Sequence, residues 1–524
     1  MSELEALARR VAALEQEQEQ AQQEREHYRT LYLQMLERCR KLERGLVGQK
    51  AEKLPADSGQ LSMQLLQELL SDRALQDVEQ LEVEQVRAHK RSKPTGRKPL
   101  PEHLPRVEIE VLPDEVQREG LDAFERIGQE VTEVLERRPG SLVVARIIKP
   151  KFVRRERDKN DKTQVLVGAT PALPIERGLA GPGMLADTLV KRWQDHLPLH
   201  RLEGIYARDG IELARSTVCG WHERLLPLAE PLIDAMRADA FEQPYLCTDA
   251  TGVLVQAPQK CRVGHFFVVV APKLHVLFEY TKSHDSDAVD TVLAGYEGYL
   301  VADAHVVYDH LYEDGTVSEV NCWAHARRYF FKSLGSDPER SKRALGMIAA
   351  LFRIERSLKN APRKKKERIR DKHSRPIVEA FLSWCDAEWP SLLSDTPIYD
   401  GVRYARNQRE GLSRFLEDGR LPLDNNVSEL NLRRQAVGRK NWLFVGSDDA
   451  AKVNAAFTSL LASCRMLEVE PWSYLRDLLC LLPTWPKHRM LELAPAYWPK
   501  TAATTEVQAL LASDPYRALT LGRG

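Results

Sequence analysis

The chain has no long apolar run, no excess of charge of either sign and no paired cysteines, and each absence removes a class of function. Nothing in its 524 residues approaches the roughly 20 consecutive apolar residues that span a bilayer. The opening "MSELEALARR" is not a secretory leader, so a cytoplasmic protein without a membrane partner is expected. Lys plus Arg and Asp plus Glu each number 76, giving zero formal net charge. Any affinity for nucleic acid must therefore come from local clusters. The eight cysteines (39, 219, 247, 261, 322, 385, 464 and 480) include no CxxC pair and read as reduced thiols rather than a disulfide framework. What is present, 43% hydrophobic and 29% charged residues over a long chain, describes a folded protein of several domains.

Periodicity is clearest at the start. Leu4, Leu7, Val11, Leu14, Ala21, Tyr28, Tyr32, Met35, Leu42 and Leu46 fall on one three-four register among Glu, Gln and Arg. This predicts a coiled coil over residues 1–50 and a homodimer or higher assembly. Residues 51–106 hold an acidic helical stretch and then "RAHKRSKPTGRKPLPEHLPR", a basic Pro-rich linker whose Arg97 and Lys98 are candidate DNA contacts. A small mixed domain is expected over 107–180, with strands at "RVEIEVL" and "LVVARIIKPKFVRR". Residues 181–235 read as successive short helices, with a tight turn at Asp209-Gly210 and a cap at Ser216 or Thr217. Val218, Trp221 and Leu225 form the apolar stripe of the last helix. That suits a helix-turn-helix offering Arg208, Arg215 and Arg224 to DNA.

From residue 241 the pattern changes to strands. "YLCTDATGVLVQ" contains Asp249; "GHFFVVVAP" and "KLHVLFEYTKSH" follow, joined at Pro272-Lys273. A short helix capped by Ser286 precedes "GYLVADAHVVYDHLY", a buried strand ending in Asp303, and then "SEVNCWAHARRYFFKS". Three strands, helix, strand, helix, strand is the order of a ribonuclease-H-like core, expected here over 241–335 and 421–485. That order sets the first and fourth strands side by side, so their acids meet. With a third carboxylate from a later helix they would offer oxygen-only ligands to Mg²⁺ or Mn²⁺. Cys322 and His325 form a lone C-x-x-H and read as structural.

The stretch between Asp303 and Glu429 is too long for a plain core of this kind, and its helical, basic sequence predicts an insertion over 336–420. "APRKKKERIRDKHSRP" supplies Lys364, Lys365 and Lys366 as candidate DNA contacts. In "DNNVSELNLRRQAVGRKNWLFVGS", Asn426 and Glu429 have capping-box spacing, and Arg433, Arg434, Arg439 and Lys440 follow as a basic group. Arg327 and Arg328 of "CWAHARR" complete the candidate DNA contacts, and 486–524 reads as a C-terminal tail.

"CWAHARR", "DNNVSELNLRRQAVGRKNWLFVGS" and "GYLVADAHVVYDHLY" resemble the DDE transposase family of insertion sequence 66. So do "VGQKAEKL", "GRKPLPEHLPR", "HLPLHRLEGIYARDGIELARSTVCGW" and "VEPWSYLRDLL", in the same order along nearly the whole chain. The resemblance implies Asp249, Asp303 and Glu429 as a catalytic, metal-binding triad using Mg²⁺ or Mn²⁺. It implies an enzyme that binds element ends, cleaves them by two-metal phosphodiester hydrolysis and joins them to target DNA in the bacterial nucleoid, with or without accessory proteins of the same element. Two departures matter. Family members commonly carry cysteine pairs of a zinc module where this chain reads "EVQREGLDAFERIG" and "KPKFVRRERDKNDKTQ", so zinc is not expected. The first acid also stands in "TDAT", where a second acid often follows. The alternative reading is a catalytically silent DNA-binding protein derived from such an enzyme.

Overall fold

The computed structural model describes residues 100, 102, 104–138, 141–154 and 165–521. The expected coiled coil and the linker with Arg97 and Lys98 lie outside them. The described chain forms two compact units: one runs to Ser318 and resumes at Asn426, and the other is Glu319–Asn425.

The first unit begins with a four-stranded sheet. β1 (Arg106–Glu110) pairs in parallel with a later strand, and α1 (Asp114–Glu119) buries Val116 against Phe124 and Phe152. β2 (Phe124–Arg138) and β3 (Ser141–Arg154) form a long antiparallel hairpin with a register shift between Arg126 and Gly128, and β4 (Leu166–Val167) adds to β3. The strands expected at "RVEIEVL" and "LVVARIIKPKFVRR" are there. Between them β2 is a third, rich in Glu and Arg, its first half largely exposed and its Val134, Leu135 and Glu136 buried.

α2 (Pro182–Leu189) runs into a π-helical segment, Val190–Gln194, and then α3 (Leu199–Arg208). Gly210 takes the turn with φ 80°, a conformation that costs glycine least. α4 (Arg215–Phe241) is 27 residues long, not one of several short helices. It starts behind Ala214 with no side-chain cap, so Ser216 and Thr217 lie inside its first turn and cap nothing. Two internal prolines, Pro227 and Pro231, do not end it. Val218, Trp221, Leu225, Leu232, Met236 and Ala240 are buried on a continuous stripe, and that packing offsets the lost backbone hydrogen bonds.

The second sheet of this unit follows. β5 (Tyr245–Val255), β6 (Arg262–Ala271) and β7 (His275–Thr281) form an antiparallel meander, Lys273 turning with φ 65°. α5 (Ser286–Leu293) is capped by Asp285, which accepts from the Ala288 amide; Ser286 is already helical. β8 (Gly298–Ala302) pairs in parallel with β5, and the chain leaves the unit along β9 (Val317–Asn321). The strand order is β7-β6-β5-β8-β9.

The inserted unit is helical: α6 (Trp323–Lys332), α7 (Pro338–Ser357), α8 (Arg363–Ile369), α9 (Arg375–Glu388), α10 (Pro397–Asn407) and α11 (Arg409–Ser413). Trp323 is fully buried against Phe381 and Phe415, and its Nε1 donates to the Leu412 carbonyl at 2.8 Å. Cys322 is buried too, its Sγ accepting from the Asn425 amide at 3.2 Å.

Back in the first unit, α12 (Asn426–Trp442) leads to β10 (Phe444–Val445), which pairs in parallel with the far end of β5. α13 (Asp448–Met466) packs on β7, and its Ser459 and Ser463 hydroxyls accept the Phe278 and Val276 amides at 2.7 and 2.9 Å. α14 (Pro471–Leu481), α15 (Trp498–Ala502), α16 (Thr505–Ser513) and α17 (Pro515–Thr520) complete it. The segment expected as a tail is folded: Met490, Leu493, Trp498, Val507 and Leu511 join the main core, and Tyr516 packs with Val134 and Ile147.

Candidate active site

β5 is the strand on which the site is built. On one side it pairs throughout with β6. On the other it meets β8 only through Tyr245–Cys247 and β10 only through Leu254–Val255. Among the described residues, Thr248 to Val253 have no strand partner on that side, and Asp249 lies in this opening. Cys247 stands opposite Val301 in the parallel register. Side chains two residues apart on a strand share a face, so Asp249 falls on the face of Cys247. Asp303, two residues beyond Val301, follows the last residue of β8. Ala304, with φ 57°, then turns the chain away.

The two aspartates act on one common neighbour. Tyr308 is buried, and its phenol is pushed well above its ordinary pKa, first by burial and then by the charges of Asp303 and Asp249. Both acids are half-buried, and Asp249 Oδ1 accepts from the Ala250 amide at 2.7 Å. Beside Asp303 three imidazoles are in contact, with ring centroids 5.2 Å apart for His265–His284 and 4.9 Å for His284–His305. Burial and the neighbouring His305 hold His284 below the usual histidine range, while Asp303 opposes the shift. None of these histidines stood among the residues expected from the sequence, because only the fold brings three separate segments together.

Glu429 lies half-buried in the first turn of α12, which packs against β5 and β6. Farther along, Arg439 donates to Thr251 Oγ1 at 3.0 Å and to the Gly252 carbonyl, tying the helix to the open edge of β5.

Two carboxylates, one within β5 and one just beyond the end of the neighbouring β8, suit a hard divalent cation that takes oxygen ligands. Among the described residues, however, no group of three or more His, Cys, Asp and Glu is gathered as a metal-ligand set.

The predicted basic contacts divide. Lys440, Lys364 and Lys365 are exposed, and Lys366 and Arg433 are half-buried. Arg208 is exposed and donates to the Gly204 carbonyl, and Arg215 pairs with Glu203 at 3.2 Å. Arg328 is half-buried; Arg327 is too, with its guanidinium over the Phe352 ring. Arg434 is a correction: it is 6% exposed and donates to Gln194 Oε1 at 2.8 Å, so it does not lie on an open surface. Arg439 is spent largely on β5. In the insertion, Arg370 is buried and donates to Glu355 and to the Phe415, Asp418 and Leu421 carbonyls, so it ends the solvent-facing basic run.

Comparison with known proteins places the chain in a family. The model of the family described as "Transposase IS66 family" matches residues 177–453, which include both aspartates and Glu429. A second model, "Transposase C of IS166 homeodomain", matches residues 34–109. The chain belongs to the IS66 family of transposases. Its similar relatives include the uncharacterized protein y4hP of Sinorhizobium fredii, 28% identical over 500 residues, covering 90% of this chain and 89% of that protein. The uncharacterized protein y4qI of the same organism is 29% identical over 424 residues, 77% of each chain. Among the described residues no helix is long and apolar enough to cross a membrane.

Proposed function

We propose that the protein binds the ends of an insertion sequence, cleaves them by metal-dependent phosphodiester hydrolysis and joins them to target DNA. The observation that carries this reading is the placement of Asp249 within β5 and of Asp303 just after β8, each two residues beyond its member of the Cys247–Val301 pair, with both charges acting on Tyr308. In this reading β5–β8 form a ribonuclease-H-like core. Asp249 and Asp303, joined by Glu429 from α12, would hold Mg²⁺ or Mn²⁺. Such an ion, when bound, makes water a stronger nucleophile and stabilises charge on the leaving oxygen.

The rest is the work of the chain itself. The β5 and β8 backbones fix the two aspartates before substrate arrives, which lowers the ordering cost of the reaction. Arg439 holds α12 against β5 and so sets where Glu429 stands. Lys440 and Arg433 lie on that same helix and place positive charge beside a bound phosphodiester. α3 and α4, joined through Gly210, serve as the helix-turn-helix, with Arg208 and Arg215 at its surface, and Lys364 to Lys366 follow the backbone elsewhere on the DNA. Residues 1–50 dimerise the chain so that two element ends are processed together in the nucleoid. Nicking of end-bearing duplex by the purified protein, with Mg²⁺ against EDTA, tests the reading. Metal-dependent nicking supports it, and binding without nicking would favour a silent DNA-binding protein.

A further inference from the structure

The first unit has an open cleft of about 350 Å³ that the candidate site does not use, lined by Arg137, Asp187, Glu470, Trp472 and Ser473. The end of β2, α2 and the start of α14 meet there. Its volume is at the small end of ligand clefts, which suits one small group rather than a duplex. Trp472 supplies an aromatic wall. Its Nε1 donates to the Gly183 carbonyl at 3.3 Å, and the Arg476 guanidinium lies over the ring at 5.0 Å, so the ring is held in place before any ligand arrives.

The polar groups around that wall have valences to spare. Asp187 is 7% exposed, and its Oδ2 takes the Tyr206 hydroxyl at 2.6 Å and Lys191 at 2.8 Å. Among the described residues its Oδ1 meets Arg137 alone, at 3.4 Å, and that ion pair is the single contact of the Arg137 guanidinium. A guanidinium has five donors, so most of those on Arg137 remain unused. Glu470 caps α14, accepting the Trp472 and Ser473 amides at 3.0 and 2.7 Å, while the Ser473 hydroxyl has no hydrogen-bond partner among the described residues. Asp187 and Glu470 are balanced in charge by Arg137 and Lys191, so the cleft has no electrostatic need of a further ion.

We propose that this cleft receives a single unpaired nucleobase, guanine by preference, stacked on Trp472 and read by Arg137 and Asp187. A neutral, flat ligand follows from the balanced charge and the aromatic wall. A ligand with both donors and acceptors follows from the spare guanidinium donors beside a carboxylate oxygen. Guanine carries both on neighbouring edges: O6 and N7 accept from a guanidinium, and N1–H and the N2 amino group donate to a carboxylate. Adenine and cytosine have one amino group each and thymine one ring N–H, so each leaves part of the Arg137–Asp187 pair unmet. Base pairing would occupy the same edge, so the base must be unpaired or turned out of its stack. That the base belongs to DNA rests on the proposed function; the preference of the cleft for guanine does not.

Two measurements on the full-length protein test it, using wild type, Arg137→Gln and Trp472→Phe. First, GMP, AMP, CMP and UMP are titrated by calorimetry, so that the shared ribose and phosphate cancel in the comparison. Wild type should prefer GMP by about fivefold or more, the low end of what one bidentate base contact gives. Arg137→Gln should lose the preference with its Tm near that of wild type, while Trp472→Phe, which keeps an aromatic wall, should retain it. Second, affinity is compared for end-bearing duplexes that carry one unpaired guanine or one unpaired adenine. The guanine duplex should bind more tightly to wild type and equally to Arg137→Gln. No preference for GMP in wild type, or the same preference in Arg137→Gln, overturns the pocket. A preference for GMP with no difference between the two duplexes overturns its assignment to DNA. A wild type that binds no DNA defeats the proposed function, while the nucleotide titration still decides the pocket.

Discussion

Cys247 and Val301 face each other across two parallel strands, and each is followed two residues later by an aspartate. The β5–β8 pairing therefore does for Asp249 and Asp303 what no sequence spacing could: it brings residues from distant segments to the point where the two strands part. Because both backbones are paired up to that point, the positions of the acids depend on the sheet.

Arg439 is the tie between that sheet and α12. Replacing it with Met keeps length and packing but leaves the Gly252 carbonyl and Thr251 without their charged donor. A loss of about 1.5–3 kcal/mol is expected, since hydrogen bonds to charged groups have that worth. Thermal unfolding measures it, and end cleavage should fall further than stability alone explains because Glu429 loses its fixed position. A variant as stable and as active as wild type would show that α12 is held by other contacts.

Glu136 gives a pH dependence of known sign. It is fully buried on β2, its Oε1 accepting the Arg137 and Met184 amides at 2.7 Å, and burial raises its pKa to about 8. An acid whose folded pKa lies above its unfolded value holds its proton longer when folded. Stability therefore declines as pH rises from about 4.5 to about 8, at up to roughly 1.4 kcal/mol per pH unit. Glu136→Gln should flatten that decline and be more stable than wild type at pH 8. A variant with the same slope would place the pH dependence elsewhere.

The inserted unit separates two kinds of basic residue. Lys364→Ala with Lys365→Ala should leave stability within about 0.5 kcal/mol, as exposed substitutions do. It should weaken DNA binding evenly across sequences and reduce the salt slope. Arg370→Met should do the reverse, costing about 3–5 kcal/mol because Glu355 loses a buried partner. Denaturant unfolding beside binding isotherms distinguishes the two. Intact binding in the lysine variant would make that run a merely solvated helix face.

Much of this architecture was legible in the sequence, and the misses have physical causes. Asp249 and Asp303 stood out because an acid inside or at the end of an apolar β-branched strand contradicts its surroundings, and the strand order then implied that they are neighbours. The Lys273 turn and the apolar stripe of Val218, Trp221 and Leu225 were readable for similar reasons. β2 was missed because "FERIGQEVTEVLERR" is largely exposed over its first half and so lacks a sustained apolar alternation. The long α4 was missed because Pro227 and Pro231 are ordinary helix breakers, overridden here by burial. Arg434 looked like one of four surface cations, since helical sequence shows which residues share a face but not which face another element covers. The contact between His265, His284 and His305 has no sequence signature.

Glu429→Gln separates catalysis from local helix structure. Glutamine keeps the size of the side chain and its ability to close a capping box, so a purely structural role of Glu429 in the first turn of α12 survives the change while its charge is lost. Removal of its charge should abolish end cleavage while DNA binding and the helix content by circular dichroism stay at wild-type levels. Retained cleavage would remove Glu429 from the triad and leave the aspartate pair to act with another ligand.

The central claim is that Asp249 and Asp303 together form the cutting centre, and cleavage of end-bearing DNA in Mg²⁺ by Asp303→Asn, measured beside its DNA affinity, tests it most directly. The amide keeps the size and shape of the side chain and removes only its charge. The expected result is a fall in cleavage of at least about 100-fold, the scale on which lost electrostatic stabilisation acts, with affinity unchanged. Cleavage within a few-fold of wild type would contradict the account.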